Sequence, residues 1–324
     1  MAGSGSGSHD LMMVDYLGGL SRIKWAELPE QVRAEVERLL GDDVRGADDQ
    51  RGGFSHGVAA RLRTVGGDAA FVKAIEMTDE LAAVYRKEAR IAARLPATAP
   101  APRCRCTTEI AGWFVAVFDD VEGAFPRFDQ TEELRGTLDL LTRLATELTP
   151  SPLLDVPTVA ESYGPELIGW RTFVAEGPPV DLDGWSTRHL TELAELEAAW
   201  PTAAVGDTLL HTDLRPDNLL RRADGVVLAV DWSWACRGAA WIDLVALAPS
   251  IAAAGVDPDP ILATHPVTRD VDRAAVDAFV CALAGYWAAA CRKPGPPRSP
   301  RLRAYQSVFA RVAGEWLACR LGWR

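Results

Sequence analysis

The sequence predicts a two-lobed α+β fold, with a small antiparallel-sheet lobe at the N-terminus and a larger, mainly helical lobe after it. Three observations predict it. Short apolar runs punctuated by glycine turns fill much of the first 122 residues, runs with apolar side chains every three or four positions follow residue 123, and one Asp- and Asn-rich hairpin lies between those later runs. The expected division is a flexible leader over residues 1–13, an N-terminal lobe over 14–122 and a C-terminal lobe over 123–324. With 324 residues, 48% of them hydrophobic, the chain has enough apolar side chain for two cores without a third domain.

The opening Met1-Ala2-Gly3-Ser4-Gly5-Ser6-Gly7-Ser8-His9 is low in complexity and takes no part in the fold reasoning, and Met12 or Met13 is a candidate native start. Pro29 to Leu40 reads as a helix with Val32, Val36, Leu39 and Leu40 on one side and Gly41 as its stop. An acidic, glycine-bearing loop through Asp42-Asp43 and Asp48-Asp49 then leads to Arg51-Gly52-Gly53-Phe54-Ser55-His56-Gly57 and a strand over Val58-Ala59-Ala60-Arg61-Leu62-Arg63. Glycines before a strand let backbone N–H groups come close to phosphate, which makes Gly53, Phe54 and Ser55 candidates for a nucleotide; read alone, such a cluster is a turn. A second turn at Gly66-Gly67 returns the chain as the apolar strand Ala69 to Ile75, which carries one lysine, Lys73.

Asp79 to Leu95 follows with Leu81, Val84, Tyr85, Ile91, Ala92 and Leu95 on one helical stripe, and Glu88 falls inside it. A carboxylate on a buried face needs a partner, and Lys73 is nearby on an apolar strand. Such a pair would hold the lysine ready for α- and β-phosphate oxygens. Thr131 to Leu148 bears Leu134, Leu138, Leu141, Leu144 and Leu148 at helical spacing, 150–183 is rich in Pro and Gly and reads as irregular, and a helix near Leu190, Leu193, Leu196 and Trp200 follows. The chain ends with helices over about Val271 to Cys291 and Arg301 to Leu321.

The densest chemistry lies at His211-Thr212-Asp213-Leu214-Arg215-Pro216-Asp217-Asn218, with Asp231 thirteen residues beyond. Leu219-Leu220 and Val226 to Val230 read as two strands joined by a two-residue type I′ turn at Asp224-Gly225. That register sets Asn218 directly opposite Asp231, with Cβ atoms roughly 4.5–5.5 Å apart. An amide oxygen and a carboxylate so placed can share one hard cation, and Mg²⁺ borrows its remaining ligands from water and nucleotide phosphates. Asp213, in the loop before the strand, can face the same spot as a base. The bland alternative is a solvated Asx-rich turn before an ordinary hairpin.

In this order the glycine cluster, Lys73, Glu88, the 211–218 stretch and Asp231 resemble the eukaryotic-protein-kinase-like superfamily, most closely its aminoglycoside phosphotransferase branch of small-molecule kinases, over roughly Gly52 to Trp241. The resemblance implies a kinase-like two-lobed fold, with Asp213 as catalytic base, Asn218 and Asp231 as Mg²⁺ ligands, Lys73 orienting phosphates with Glu88 as its partner, and His211 bracing the loop. Asp231-Trp232-Ser233-Trp234 stands where protein kinases have Asp-Phe-Gly, and Thr212 departs from the branch's commoner His-Gly-Asp. Trp113 to Val117 resembles the strand feeding the interlobe hinge, so that Asp119 C=O and Val121 N–H match the groups that hold a purine edge, with Phe118 as a lining residue; ATP and GTP both stay open. Asp243 matches the carboxylate that braces the catalytic loop, and by itself reads equally as a helix N-terminal acid.

These readings imply a nucleotide- and Mg²⁺-dependent O-phosphotransferase acting on a hydroxyl of a small molecule. Only about ten residues separate Asp231 from Ala239-Ala240-Trp241-Ile242-Asp243, too few for a long peptide-docking segment. An antibiotic is the leading acceptor, because nine acids between Asp155 and Glu197 face only Arg171 and Arg188 and could attract a polycation. Ordinary solubilising charge explains them equally well. The last helices are basic instead, and eleven tryptophans could line a pocket for an aromatic acceptor, so a metabolic kinase for a sugar, choline-like or amino-alcohol substrate is the alternative. Retention of Lys73, Glu88, Asp213, Asn218 and Asp231 together argues against a regulatory pseudokinase. Net charge −11 gives no support for nucleic-acid binding, no apolar run reaches membrane-spanning length, and no obligate protein partner is evident. Six scattered cysteines without zinc spacing, and no signal peptide, point to reduced thiols in the cytoplasm.

Overall fold

In the computed structural model, which describes residues 22–50, 55–296 and 301–323, alternation along three strands decides the N-terminal architecture. β1 (Val44–Asp49), β2 (Val58–Thr64), β3 (Ala69–Glu76), β4 (Cys104–Ile110) and β5 (Trp113–Asp119) form one antiparallel sheet in the order β1-β2-β3-β5-β4. Successive side chains point to opposite faces. Val58, Ala60 and Leu62 of β2, Ala70, Val72 and Ala74 of β3, and Trp113, Val115 and Val117 of β5 are buried together with Trp25, Leu28 and the Val32 and Val36 side chains of α1 (Glu30–Leu40). The alternate residues turn the other way. Ile75, Phe114, Ala116 and Phe118 pack with Tyr85, Ala89 and Ala92 of α2 (Ala82–Ala92), and Ala59, Arg61, Phe71 and Lys73 line a cavity.

The acidic segment expected to be a loop is instead the edge strand β1, in which Asp48 and Asp49 pair with Arg61 and Ala60. Its side chains lie mostly in solvent, so no apolar alternation marks it, and charge on an edge strand discourages pairing with other chains. At the start of β2, a Cβ on Gly57 would stand 2.6 Å from both the Ala74 carbonyl and the Tyr85 hydroxyl, so only glycine fits between β3 and α2.

By its internal contacts the chain divides into two units: the residues up to 125 with Asp217–Trp234, and Pro126–Pro216 with Ala235–Pro296 and the residues from 301. A single cut near residue 123 does not describe this. The hairpin β7 (Leu219–Arg221) and β8 (Val227–Ala229) joins the first unit because Ala124 and Arg221 exchange backbone hydrogen bonds of 3.0 and 2.8 Å and the Ala229 N–H donates to the Pro100 carbonyl.

The second unit contains α3 (Thr131–Glu147), α4 (Val159–Tyr163), α5 (Gly169–Glu176), α6 (Gly184–Arg188), α7 (Leu190–Ala203), α8 (Ile242–Ala253), α9 (Asp259–Thr264), α10 (Arg273–Ala290) and α11 (Leu302–Leu321), with β6 (Thr208–Leu210) paired to β9 (Cys236–Gly238). The stretch expected to be irregular thus holds two helices. α4 has five residues and α5 begins at a glycine, so neither shows a clear helical stripe. Gly169 is required by packing, since a Cβ there would collide with the Gly285 carbonyl of α10. The first N–H groups of α5 are satisfied by the fully buried Glu197 of α7, which accepts from Trp170 and Arg171 at 3.0 Å each. Among the described residues no helix is long and apolar enough to cross a membrane.

His265 yields a pH prediction. Its Nε2 faces the Leu138 carbonyl at 3.1 Å, an obligate acceptor, and its Nδ1 accepts the Val267 N–H at 3.3 Å, so the ring is held neutral. Burial lowers its pKa, outweighing the Leu138 carbonyl and Asp139, which raise it. Below the unfolded value of about 6.5 the unfolded chain therefore binds a proton that the folded chain refuses. Stability should fall as pH drops from about 6.5 towards the lowered folded pKa, and urea unfolding of His265→Asn should show a shallower loss over that window. Identical slopes for variant and wild type would refute the assignment.

Candidate active site

The first unit contains a cavity of about 400 Å³ that brings together Lys73, Glu88, Phe118, Asp119, Val121, Asn218 and Asp231. Alternation along β3 puts Lys73 on the cavity face, in register with Ala59 of β2 and Ala116 of β5. Helical phase puts Glu88 on the buried side of α2 with Tyr85 and Ala92, and Lys73 Nζ donates to its two carboxylate oxygens at 2.6 and 2.7 Å. Asp231 Oδ2 lies 3.6 Å from the same Nζ. Burial opposes the charge on Lys73, but Asp231 and Glu88 outweigh it and raise its pKa, so the ammonium stays protonated. Glu88 is pushed up to about 7, first by burial, against the pull of Lys73 and with the repulsion of Asp231. Two carboxylates thus share one ammonium, and Arg22, which also lines the cavity, acts electrostatically on Glu88.

The hairpin differs from the expected register by one residue. Leu219 pairs with Ala229, Leu220 with Leu228 and Arg221 with Val227, and the Val230 N–H donates to the Asn218 carbonyl at 2.9 Å. Val230, rather than Asp231, is therefore opposite Asn218. The cause is a three-residue loop, Ala223-Asp224-Gly225, closed by the Arg222 N–H to the Val226 carbonyl and with Gly225 at φ +85°. Asp-Gly suits this loop as well as the two-residue turn, because both need a left-handed residue. Asn218 itself ends a 3₁₀ turn, Pro216–Asn218, and is buried. Asp231 leaves β8 with φ +65°, a left-handed conformation that carries its carboxylate to Lys73, and its Oδ1 accepts from Ser233 at 2.6 Å. Both residues line the cavity even though they are not cross-strand neighbours.

In the second unit, the loop after β6 is held by a carboxylate. Asp243, buried in the first turn of α8, accepts the His211 N–H at 2.9 Å and the Thr212 N–H at 2.8 Å. The two readings of Asp243, helix-terminal acid and loop brace, thus describe one residue in both positions. Burial raises its pKa, while His211 and the two backbone N–H groups act against that rise. His211 is fully buried, and its Nδ1 accepts the Asp213 N–H at 3.3 Å, which links the histidine to the backbone of the residue expected to be the base. The Asp213 carboxylate is partly open and lies 3.6 Å from Arg215.

Gly53 and Phe54 lie outside the described residues. Ser55 hydrogen-bonds with the Tyr85 hydroxyl at 2.8 Å and accepts from Arg22 at 2.9 Å; it is not among the residues that line the cavity. Arg22 does line it and also donates to the Gly57 carbonyl. Sequence reasoning missed Arg22, a lone arginine before α1 with no pattern to mark it. The Arg61–Asp120 ion pair, 2.7 Å at its shorter contact, was missed as well. Its only sequence signal is an arginine on the cavity-facing alternation of β2. Among the described residues no three His, Cys, Asp or Glu side chains form a metal-binding cluster.

Residues 51–314 match the model of the phosphotransferase enzyme family. No match was found among curated proteins. Solved structures of similar fold include an aminoglycoside phosphotransferase from Alicyclobacillus acidocaldarius, 14% identical, with TM-score 0.53 over 86% of this chain and 92% of that one. A thermostable variant of the aminoglycoside phosphotransferase APH(4)-Ia, in ternary complex with ADP and hygromycin B, is 14% identical with TM-score 0.57 over 90% and 98%. A choline kinase from Streptococcus pneumoniae is 14% identical with TM-score 0.59 over 89% and 98%. At such identities the likeness is one of fold.

Asp243 supplies the prediction. An Asn in its place offers one acceptor and one donor to two N–H groups that both need acceptors, so Asp243→Asn should cost about 1–3 kcal/mol in unfolding free energy. Amide exchange at His211 and Thr212 should accelerate in the variant. Wild-type exchange at both amides would show that the carboxylate does not brace the loop.

Proposed function

The chain belongs to the phosphotransferase enzyme family, and from that premise we propose that it transfers the terminal phosphoryl group of ATP or GTP to a hydroxyl of a small molecule, with an antibiotic as the leading acceptor. The observation that carries the proposal is the Lys73 ammonium held between Glu88 and Asp231 in a cavity that Asn218 also lines. In this reading Glu88 holds Lys73, and Lys73 orients the nucleotide phosphates. Gly53, Phe54 and Ser55 belong to the segment that approaches those phosphates, and Asp119 C=O and Val121 N–H hold the purine edge. The cavity-lining positions of Asp119 and Val121 support that assignment.

A divalent cation suits the donor set. Asn218 and Asp231 offer hard oxygens, a donor set that nucleotide oxygens would complete around a cation. Asn218 and Asp231 would hold Mg²⁺, which when bound neutralises charge on the phosphate oxygens. Asp213 accepts the proton of the acceptor hydroxyl as its oxygen bonds to phosphorus and the nucleoside diphosphate leaves. Asp243 and His211 keep the backbone of that base in place.

A small acceptor is favoured by the short path from Asp231 to α8 at Ile242, which leaves no room for a peptide-docking segment. The antibiotic reading is supported by the likeness in fold to aminoglycoside kinases, one of them complexed with hygromycin B. A metabolic kinase with a choline-like or other amino-alcohol acceptor is the second reading, supported by an equal likeness to a choline kinase. Screening antibiotics and metabolites for acceptor-dependent nucleotide consumption, with the product mass measured, separates the two. Asp213→Asn should lower kcat by about 10²–10⁴ with little change in nucleotide affinity. Lys73→Ala should impair turnover through misplaced phosphates. Near-native turnover in either variant would remove that residue from the proposed site.

A further inference from the structure

We infer that Tyr163 is a positioning residue for the catalytic loop, required because this chain has a threonine where the backbone conformation favours glycine; the inference rests on the reading of Asp213 as the base. Thr212 has φ +64°, a left-handed conformation in which a β-branched side chain is crowded by its own backbone. Side chains around it compensate. Its N–H donates to Asp243 at 2.8 Å, its Oγ1 donates to the His211 carbonyl at 2.8 Å, and the Tyr163 hydroxyl lies 2.7 Å from the same Oγ1.

The direction of this chain can be worked out. A threonine hydroxyl has one proton, and a carbonyl can only accept, so the proton of Thr212 goes to His211 and Tyr163 must be the donor to Thr212 Oγ1. Hydrogen bonds therefore run from Tyr163 to Thr212, the residue immediately before Asp213, and from Thr212 to the His211 carbonyl. Burial holds the Tyr163 phenol well above its usual range, so the donor keeps its proton. Tyr163 is itself firmly placed. It ends α4, whose start is fixed by Thr158 and Glu161, each accepting the other's backbone N–H, and by the Arg237 N–H of β9 to the Pro157 carbonyl at 2.8 Å. The tyrosine thus ties a strained loop residue to an anchored helix. A glycine at 212 would relax into the same conformation without help.

The test measures Mg²⁺-dependent turnover of ATP or GTP by the full-length chain with water as acceptor, reading kcat and nucleotide KM separately. Tyr163→Phe should lower kcat by about ten- to a hundredfold at a nearly constant KM, the size expected when a reacting group is misplaced by a fraction of its reach. In a Thr212→Gly background the same Tyr163→Phe change should have no further effect, because the strain it opposed is gone. Thr212→Ala keeps the crowded Cβ and loses the hydroxyl, so it should turn over more slowly than Thr212→Gly. A merely structural tyrosine would slow both backgrounds equally, and that result, or wild-type kcat in Tyr163→Phe, would overturn the inference. Should Tyr163→Phe alone fail to fold, the comparison of Thr212→Gly with its Tyr163→Phe double variant decides the matter, a slower double variant counting against it. Asp213→Asn is run in parallel: wild-type turnover there would defeat the reading of the base, whereas loss of turnover there with equal slowing in the two backgrounds defeats only the role of Tyr163.

Discussion

One ammonium group shared by two carboxylates is the constraint on which the first unit depends. Burying Lys73 and Glu88 removes both from water, and deleting Lys73, the one cation that both carboxylates approach, leaves Glu88 buried without its partner, a loss that typically costs about 3–5 kcal/mol. The surrounding structure is arranged to keep them together. β3 must present its odd-numbered residues to α2, so its even-numbered residues face α1, and the sheet is covered on that side by Trp25, Leu28, Val32 and Val36. Gly57 must lack a side chain because Tyr85 of the same helix stands against it. The hairpin then supplies the second carboxylate beside Lys73.

Backbone strain concentrates where the chemistry is proposed. Among the described residues the non-glycine positions with positive φ are Ala111, Thr212 and Asp231, and the last two belong to the loop before the proposed base and to the carboxylate beside Lys73. Each has local support, Thr212 from Asp243 and Tyr163, Asp231 from Ser233. Strained residues persist only where surrounding contacts over-determine them. The support on Thr212 belongs to the second unit and that on Asp231 to the first, so each strained residue is held within its own unit.

Much of this was legible in sequence because the relevant signals are periodic. Lys73 and Glu88 were paired because Glu88 falls inside a helical stripe and Lys73 is the one lysine of a neighbouring apolar strand, and the observed helix phase joins them. The helices 29–40 and 131–148 show such stripes, and these and the last two end within a few residues of the observed bounds. The failures have physical causes. β1 carries acids on an edge exposed to water, so it lacks an apolar pattern. α4 and α5 are too short and glycine-led to show one. The register of β7 and β8 was misplaced by one residue because Asp-Gly serves two loop lengths, and a left-handed Asp231, invisible in sequence, restores the carboxylate to the cavity. Tyr163 and Arg22 reach their partners only through tertiary packing.

The central claim, that Asp231 completes a cation and phosphate site around Lys73, is tested most directly by calorimetric titration of ADP and GDP with and without Mg²⁺. The account predicts that Mg²⁺ strengthens binding of the preferred diphosphate to the wild-type chain. In Asp231→Asn that strengthening should be lost while Mg²⁺-free binding, which depends on Lys73, is retained or improved as a negative charge is removed. Undiminished Mg²⁺ enhancement in Asp231→Asn would contradict the account, since the cation would then be held elsewhere.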